Sequence, residues 1–130
     1  LHVRRNDYKK FNEELNIEYY EKALSIMKMK VKNFEYSVFT DDIDWVKKQK
    51  IFNDAKLIHT SSDEPLDVIN TFSLMLQNYN FILANSTFSM LASFISQKTD
   101  SIIISPYPWF KKSNKDELMD NKWNLIDVSN

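Results

Sequence analysis

The sequence of 130 residues contains no glycine and no cysteine. Average usage would place roughly nine glycines in a chain of this size. Their absence excludes the P-loop and the Gly-x-Gly-x-x-Gly dinucleotide turn, because both need a residue without Cβ where backbone approaches phosphate. A phosphorylated ligand would instead have to meet side-chain cations and helix N-termini. The lack of cysteine excludes disulfides and thiolate metal sites, and it suits a reducing compartment. There is no excess of one charge either: 17 Lys and Arg stand against 18 Asp and Glu, for a net charge of −1. Neither nucleic acid nor an anionic membrane is announced as a partner. No apolar run approaches the roughly 18 residues of a spanning helix. The longest, such as Phe81–Ala84 and Ile102–Ile104, have strand length. No signal peptide is visible.

What is present is enough apolar matter for a core, with 43% hydrophobic and 14% aromatic residues. A disordered chain would be poorer in both. One domain over residues 1–130 is expected. The 13 asparagines are expected to supply turns in place of glycine, since Asn tolerates positive φ. The first residue is not Met and the chain opens inside a strand pattern, so we expect a piece of a longer protein.

The periodicity predicts a strand at Leu1–Arg5 and a helix from Ile17 to Lys32 capped by Asn16. A strand at Tyr36–Thr40, a short helix at Ile43–Gln49 and a strand at Lys56–His59 follow. Pro65 suits the first turn of a helix whose buried face is read as Leu66, Ile69, Phe72 and Leu76. Then come a strand at Phe81–Ala84, a helix at Thr87–Gln97 and a strand at Ser101–Ser105 stopped by Pro106. A polar loop at Lys111–Lys115, a helical turn at Asp116–Asp120 and a last strand at Trp123–Val128 complete the chain. Alternating strands and helices predict an α/β, Rossmann-like three-layer domain with a parallel sheet covered on both faces. Ligands in such sheets bind at the carboxyl ends of strands. The polar clusters Arg4-Arg5, Asp41-Asp42, Ser61–Asp63 and Asn85–Thr87 fall there.

Strand alternation places His2 and Arg4 on one face and Arg5 on the other. A guanidinium fork matches two phosphate oxygens and stays charged at any working pH. Arg4 is therefore a natural pyrophosphate clamp, though Arg4 and Arg5 can equally serve as structural partners of Asp7, Asp41 or Asp42. Asn85, Ser86, Thr87 and Ser89 gather hydroxyls and free N–H groups at a helix start after a strand, a phosphate-binding arrangement. Plain N-capping by Ser86 explains the same residues. Asp41, Asp42 and Asp63 can read a guanine, hold ribose hydroxyls or bind Mg²⁺. As helix caps, Asp42 would serve Ile43–Gln49, and Ser62 or Asp63 the helix after Pro65. Trp45 and Trp123 read as core, with Trp109 open to stacking on a ligand.

His2-Val3-Arg4-Arg5-Asn6-Asp7-Tyr8 resembles the His-x-Arg-Arg-x-Asp signature of the bacterial α-1,2-fucosyltransferases, the glycosyltransferase family 11 type. Val38–Asp42 with Trp45 looks like that family's next strand and acidic turn. Leu74-Met75 and Ile82–Ser89 are similar to its most recognisable block. Ile104–Phe110 and Trp123–Ile126 resemble its last elements. The sequence departs from the pattern at Asn6, where glycine is usual, at Met90-Leu91, where a tryptophan pair is usual, and at Thr71, where an acid is common. The resemblance implies one half, the C-terminal donor-binding half, of a GT-B-type enzyme with two facing Rossmann-like domains; the N-terminal half is absent. It implies GDP-β-L-fucose as donor substrate, inverting transfer to the 2-hydroxyl of a galactose-terminated glycan acceptor, and no metal or other cofactor. It also implies a bacterial cytoplasmic location, free or peripheral at the inner membrane, in surface polysaccharide synthesis. By position, Arg4 would hold the β-phosphate, Arg5 would support it, and His2 would orient the diphosphate or lie close to fucose. The Ser86–Ser89 helix start would bind the diphosphate, and one of Asp41, Asp42 and Asp63 would read guanine or ribose. Arg4, His2 and Asp7 form the expected catalytic group. Two other readings remain: a non-catalytic βαβ module of the phosphate-receiver type, and a transferase for another nucleotide sugar.

Overall fold

The structure, a computed structural model, describes residues 1–60, 62–111 and 119–129. Ser61, most of the polar loop expected at Lys111–Lys115 and the greater part of the turn expected at Asp116–Asp120 lie outside them. Among the described residues, six strands, paired in parallel within their sheets, and four α-helices follow one another: β1 (His2–Val3), α1 (Ile17–Lys30), β2 (Ser37–Thr40), α2 (Ile43–Lys48), β3 (Leu57–Thr60), α3 (Pro65–Met75), β4 (Phe81–Ile82), α4 (Thr87–Ser96), β5 (Ile103–Tyr107) and β6 (Asn124–Asp127). A 3-10 turn, Tyr8–Phe11, follows β1.

Local chemistry sets the boundaries. Asn16 starts α1 by accepting a hydrogen bond from the Tyr19 N–H at 3.1 Å. Asp42 does the same for α2 through Trp45 N–H, also at 3.1 Å, the capping role weighed for it above. Pro65 opens α3, where its missing N–H costs nothing. Neither Ser62 nor Asp63 caps that helix, whose N-cap is Glu64. Asn12 and Asn33 take φ of 58° and 54°, so asparagine does stand in for glycine at two left-handed positions.

The strands form two three-stranded sheets, β1-β2-β3 and β4-β5-β6, rather than one continuous sheet. Set side by side at β1 and β4, they run 3-2-1 and 4-5-6, the order of a doubly wound Rossmann-like domain with its switch point between β1 and β4. Among the described residues no ladder crosses that junction. Beyond Val3 the N–H groups of Arg5 and Asn6 turn to the Asp41 carboxylate, at 2.9 and 3.1 Å. The junction is closed by side chains instead: Val3 packs in one cluster with Ile82, Ala84 and Ile104.

Alternation along the strands divides the core in two. Val38, Ile82, Ala84 and Ile104 face Tyr19, Tyr20, Ala23 and Met27 of α1. Phe39, Phe81, Leu83 and Ile103 face Met75 of α3 and Ala92 of α4, with Trp109 and Trp123. Trp109 is thus core rather than a free stacking surface. The buried face of α3 differs in part from expectation: Phe72 and Leu76 do pack, partly buried, against this second cluster. Leu66 and Ile69 are 70% and 61% exposed, while Thr71 and Met75 are buried. Apolar residues lie on more than one stripe of this helix, and the stripe through Thr71 and Met75 is the one turned inward. Among the described residues, no helix is long and apolar enough to cross a membrane.

Candidate functional site

The carboxyl ends of β1, β2 and β4 converge on a cavity of about 350 Å³. Its polar wall is made by His2, Arg4, Asp7, Tyr8, Thr40 and Asp41 from the ends of β1 and β2. Ser86, Thr87 and Phe88 close it from the start of α4, and Ser62, Asp63, Val68, Thr71 and Met75 from the β3–α3 side.

Asp41 organises the first wall. Its carboxylate accepts the Arg5 and Asn6 N–H groups, its carbonyl accepts the Asn6 side-chain amide, and its Oδ2 lies 3.3 Å from Arg4 Nε. Arg4 also forks onto Asp7, Nε to Oδ1 at 3.0 Å and Nη2 to Oδ2 at 3.1 Å. Burial works against the Arg4 charge, but Asp7 and Asp41 more than offset it and raise the pKa above its ordinary value. Asp7 is slightly desolvated, yet its hydrogen bond and charge pairing with Arg4 hold its carboxyl below the usual range. Both groups are ionised at neutral pH.

Arg5 points to the opposite face, as alternation requires. Its guanidinium lies 4.0 Å from the Trp45 ring centroid, Nε is 3.5 Å from Asp42 Oδ2, and Nη1 donates to the Leu15 carbonyl at 3.3 Å. Lys9 pairs with the same Asp42 carboxylate. Arg5 and Asp42 therefore form a structural ion pair behind the site, the alternative left open by the sequence, and neither lines the cavity.

His2 is 7% exposed. Burial, with nearby positive charge including Arg4, lowers its pKa to about 3, so the ring is neutral. Its Nδ1 is buried with no hydrogen-bond partner among the described residues. Such a group costs free energy unless a ligand or water meets it. The ring packs against Phe88, centroids 6.1 Å apart.

Ser86 occupies the N-cap of α4, but its side chain caps no helix N–H, so the plain capping reading does not describe it. Met90 is the first residue to bond back, from its N–H to the Ser86 carbonyl at 3.2 Å. The N–H groups of Thr87, Phe88 and Ser89 precede it and have no carbonyl one turn back within the helix. Asn85 and Ser89 are buried, at 1% and 0% exposure, and stand outside the cavity lining. The Ser89 hydroxyl donates to the Ser86 carbonyl at 3.3 Å.

Of the residues expected to bind a ligand, the cavity brings together His2, Arg4, Asp7, Asp41, Asp63, Ser86 and Thr87, and leaves Arg5, Asp42, Asn85 and Ser89 outside. Sequence reasoning missed Tyr8, Thr40, Phe39, Val68, Met75 and Phe88. Tyr8 and Thr40 adjoin the acids Asp7 and Asp41, which is the signal their sequence carries; the apolar residues carry none apart from core. Thr71, where an acid is common in the family pattern, also lines the cavity. Its hydroxyl donates to the Asp67 carbonyl at 2.8 Å, so His59 Nε2, also 2.8 Å away, donates to it. Among the described residues, no cluster of three or more His, Asp or Glu side chains is placed to hold a metal ion.

One guanidinium, one helix N-terminus and one imidazole, whose Nδ1 has no hydrogen-bond partner among the described residues, thus share a crevice at the switch point. The sequence model of glycosyl transferase family 11 matches residues 1–127. The chain belongs to that family. It is 32% identical over 129 residues to an O-antigen biosynthesis glycosyltransferase, WbnK, of Escherichia coli, covering 95% of this chain and 42% of that protein. It is 31% identical over 140 residues to an alpha-1,2-colitosyltransferase of the same organism, covering 98% of this chain and 47% of that protein. The family 11 chain therefore spans less than half the length of these curated relatives. No solved structure matches it significantly.

Proposed function

We propose that this family 11 chain is the donor-binding domain of an inverting, metal-independent glycosyltransferase that uses GDP-β-L-fucose and forms an α-1,2 link to a galactose of a surface glycan. The observation that carries the reading is the shared cavity of Arg4 and the α4 N-terminus. Loss of GDP builds negative charge on the β-phosphate. A guanidinium and aligned N–H groups fixed in advance stabilise that charge without reorganisation. The neutral His2 ring offers a hydrogen bond to the diphosphate or to the sugar. Asp63, exposed at the rim, is the acid best placed for ribose or base, because both oxygens of Asp41 are already engaged by N–H groups. Asp7 is a poor general base, as a depressed pKa weakens proton abstraction. Its part is electrostatic, and the base belongs to the acceptor side.

The relative named as a colitosyltransferase favours a second reading, a colitosyl group in place of fucosyl on the same diphosphate. The receiver-type reading loses its chemistry here, since Asp42 is spent on a helix cap and an arginine. The test is transfer by the full-length protein with GDP-fucose, its colitosyl counterpart, GDP-mannose and a UDP-sugar, each with and without chelator. Turnover with GDP-fucose that survives chelation supports the proposal. Preference for a UDP-sugar, or loss of activity on chelation, would refute it.

A further inference from the structure

The cavity spans a junction that no strand ladder closes among the described residues. Its two walls belong to β1 and β4, which lie in separate sheets. A helix N-terminus and a guanidinium act on one diphosphate only if their separation is held to a fraction of an ångström. Something other than backbone pairing must hold it.

Two hydrogen bonds cross the junction immediately beside the ligand-facing residues. The Tyr8 hydroxyl, directly after Asp7, donates to the Asn85 carbonyl at 2.9 Å. The Asn85 side-chain amide, directly before Ser86, donates back to the Glu13 carbonyl at 2.8 Å. Asn85 is almost fully buried behind the cavity wall. Glu13 is buried too, and its carboxylate accepts the Lys111 N–H at 2.7 Å, which ties the loop after β5 to the same point. The 3-10 turn Tyr8–Phe11 is thereby held between the start of α4 and the end of β5.

Resting on the proposed diphosphate site, we infer that Tyr8 and Asn85 form a clamp that sets the distance between Arg4 and the α4 N-terminus, so that Asn85 is a positioning residue for donor binding although it touches no ligand. The Tyr8 hydroxyl also meets the Ser86 side chain, so it contacts the α4 start at two neighbouring residues.

The test is calorimetric titration of the chain with GDP in a double-mutant cycle. Tyr8→Phe removes one hydroxyl, and Asn85→Ala removes the reciprocal donor. Each is expected to weaken GDP about fivefold or more, on the scale of a lost, well-placed hydrogen bond. Either change also lowers Tm, so the deciding readout is coupling. In an Arg4→Lys background, which keeps the charge but not the fork, the Tyr8→Phe penalty should shrink to less than about twofold. An equal penalty in both backgrounds, or none in either, overturns the clamp and leaves the diphosphate site standing. Failure of the unaltered chain to bind GDP, or Arg4→Lys binding it undiminished, overturns the diphosphate reading and the clamp with it. Should Asn85→Ala fail to fold, Tyr8→Phe decides alone.

Discussion

The guanidinium of Arg4 is forked onto the carboxylate of Asp7, with both nitrogen–oxygen distances near 3 Å. The same fork is the one that a diphosphate would use. Asp7 therefore acts as an internal anion that keeps Arg4 extended toward the cavity, and a bound phosphate must share or replace it. Asp7→Asn removes that competition. It should tighten GDP roughly three- to tenfold, a fraction of the Coulomb energy of two partly solvated anions a few ångströms apart. The check is GDP affinity at low and high salt, with the gain shrinking as salt rises. Weaker binding by Asp7→Asn would mean that the carboxylate orients Arg4 more than it competes.

Arg4→Ala removes the only cavity-facing guanidinium among the described residues. In the full-length protein it should lower kcat by roughly two to three orders of magnitude, the scale of a preorganised contact to developing charge. Assays at saturating donor separate this from weakened binding. Activity within a fewfold of normal would exclude Arg4 from leaving-group stabilisation.

Arg5 carries a different expectation. Behind the site it meets Asp42, the Trp45 ring and a backbone carbonyl. Arg5→Ala would leave Asp42 with only Lys9 and the α2 N-terminus. Unfolding in urea should show a loss of about 2–4 kcal/mol, near the range for breaking a buried pair. GDP affinity of the folded fraction should change much less than in Arg4→Ala. The reverse pattern would put Arg5 in the ligand site.

His2 makes the pH dependence readable. Its pKa falls from 6.5 to about 3 on folding. A depressed pKa in a histidine means that the unfolded chain binds the proton first. Stability from this group is full above pH 6.5, declines as pH falls toward 3, and is constant below. The slope approaches about 1.4 kcal/mol per pH unit for one proton. His2→Gln should flatten this part of the acid limb in denaturant titrations between those values. An unchanged limb would show that His2 is not held neutral by burial.

Much of this was legible in the sequence because local rules and the fold agree. The caps Asn16 and Asp42, the proline at the start of α3 and the strand–helix alternation all fell where short-range chemistry puts them. The cavity residues of β1 and the α4 start could be named because a glycine-free chain has few ways to hold an anion. What could not be read was rotation and division. Leu66 and Ile69 fit the helical period as well as Thr71 and Met75 do, and only packing against α4 and the sheet chose between them. The break between β1 and β4 depends on where Asp41 captures two N–H groups, a contact across 36 residues of chain that no window sees. Asn85 read as a ligand group because its place in the motif does not reveal that its amide points backward to Glu13.

The central claim is that the β-phosphate is held by Arg4 and the α4 N-terminus together. The ratio of GDP to GMP affinity, measured by calorimetry on the chain and on Arg4→Ala, tests it directly. The account predicts that GDP binds at least about tenfold more tightly than GMP in the unaltered chain and that Arg4→Ala shrinks this ratio to the smaller part the α4 N-terminus supplies, with GMP little changed. A GDP-to-GMP ratio that Arg4→Ala leaves intact would contradict it.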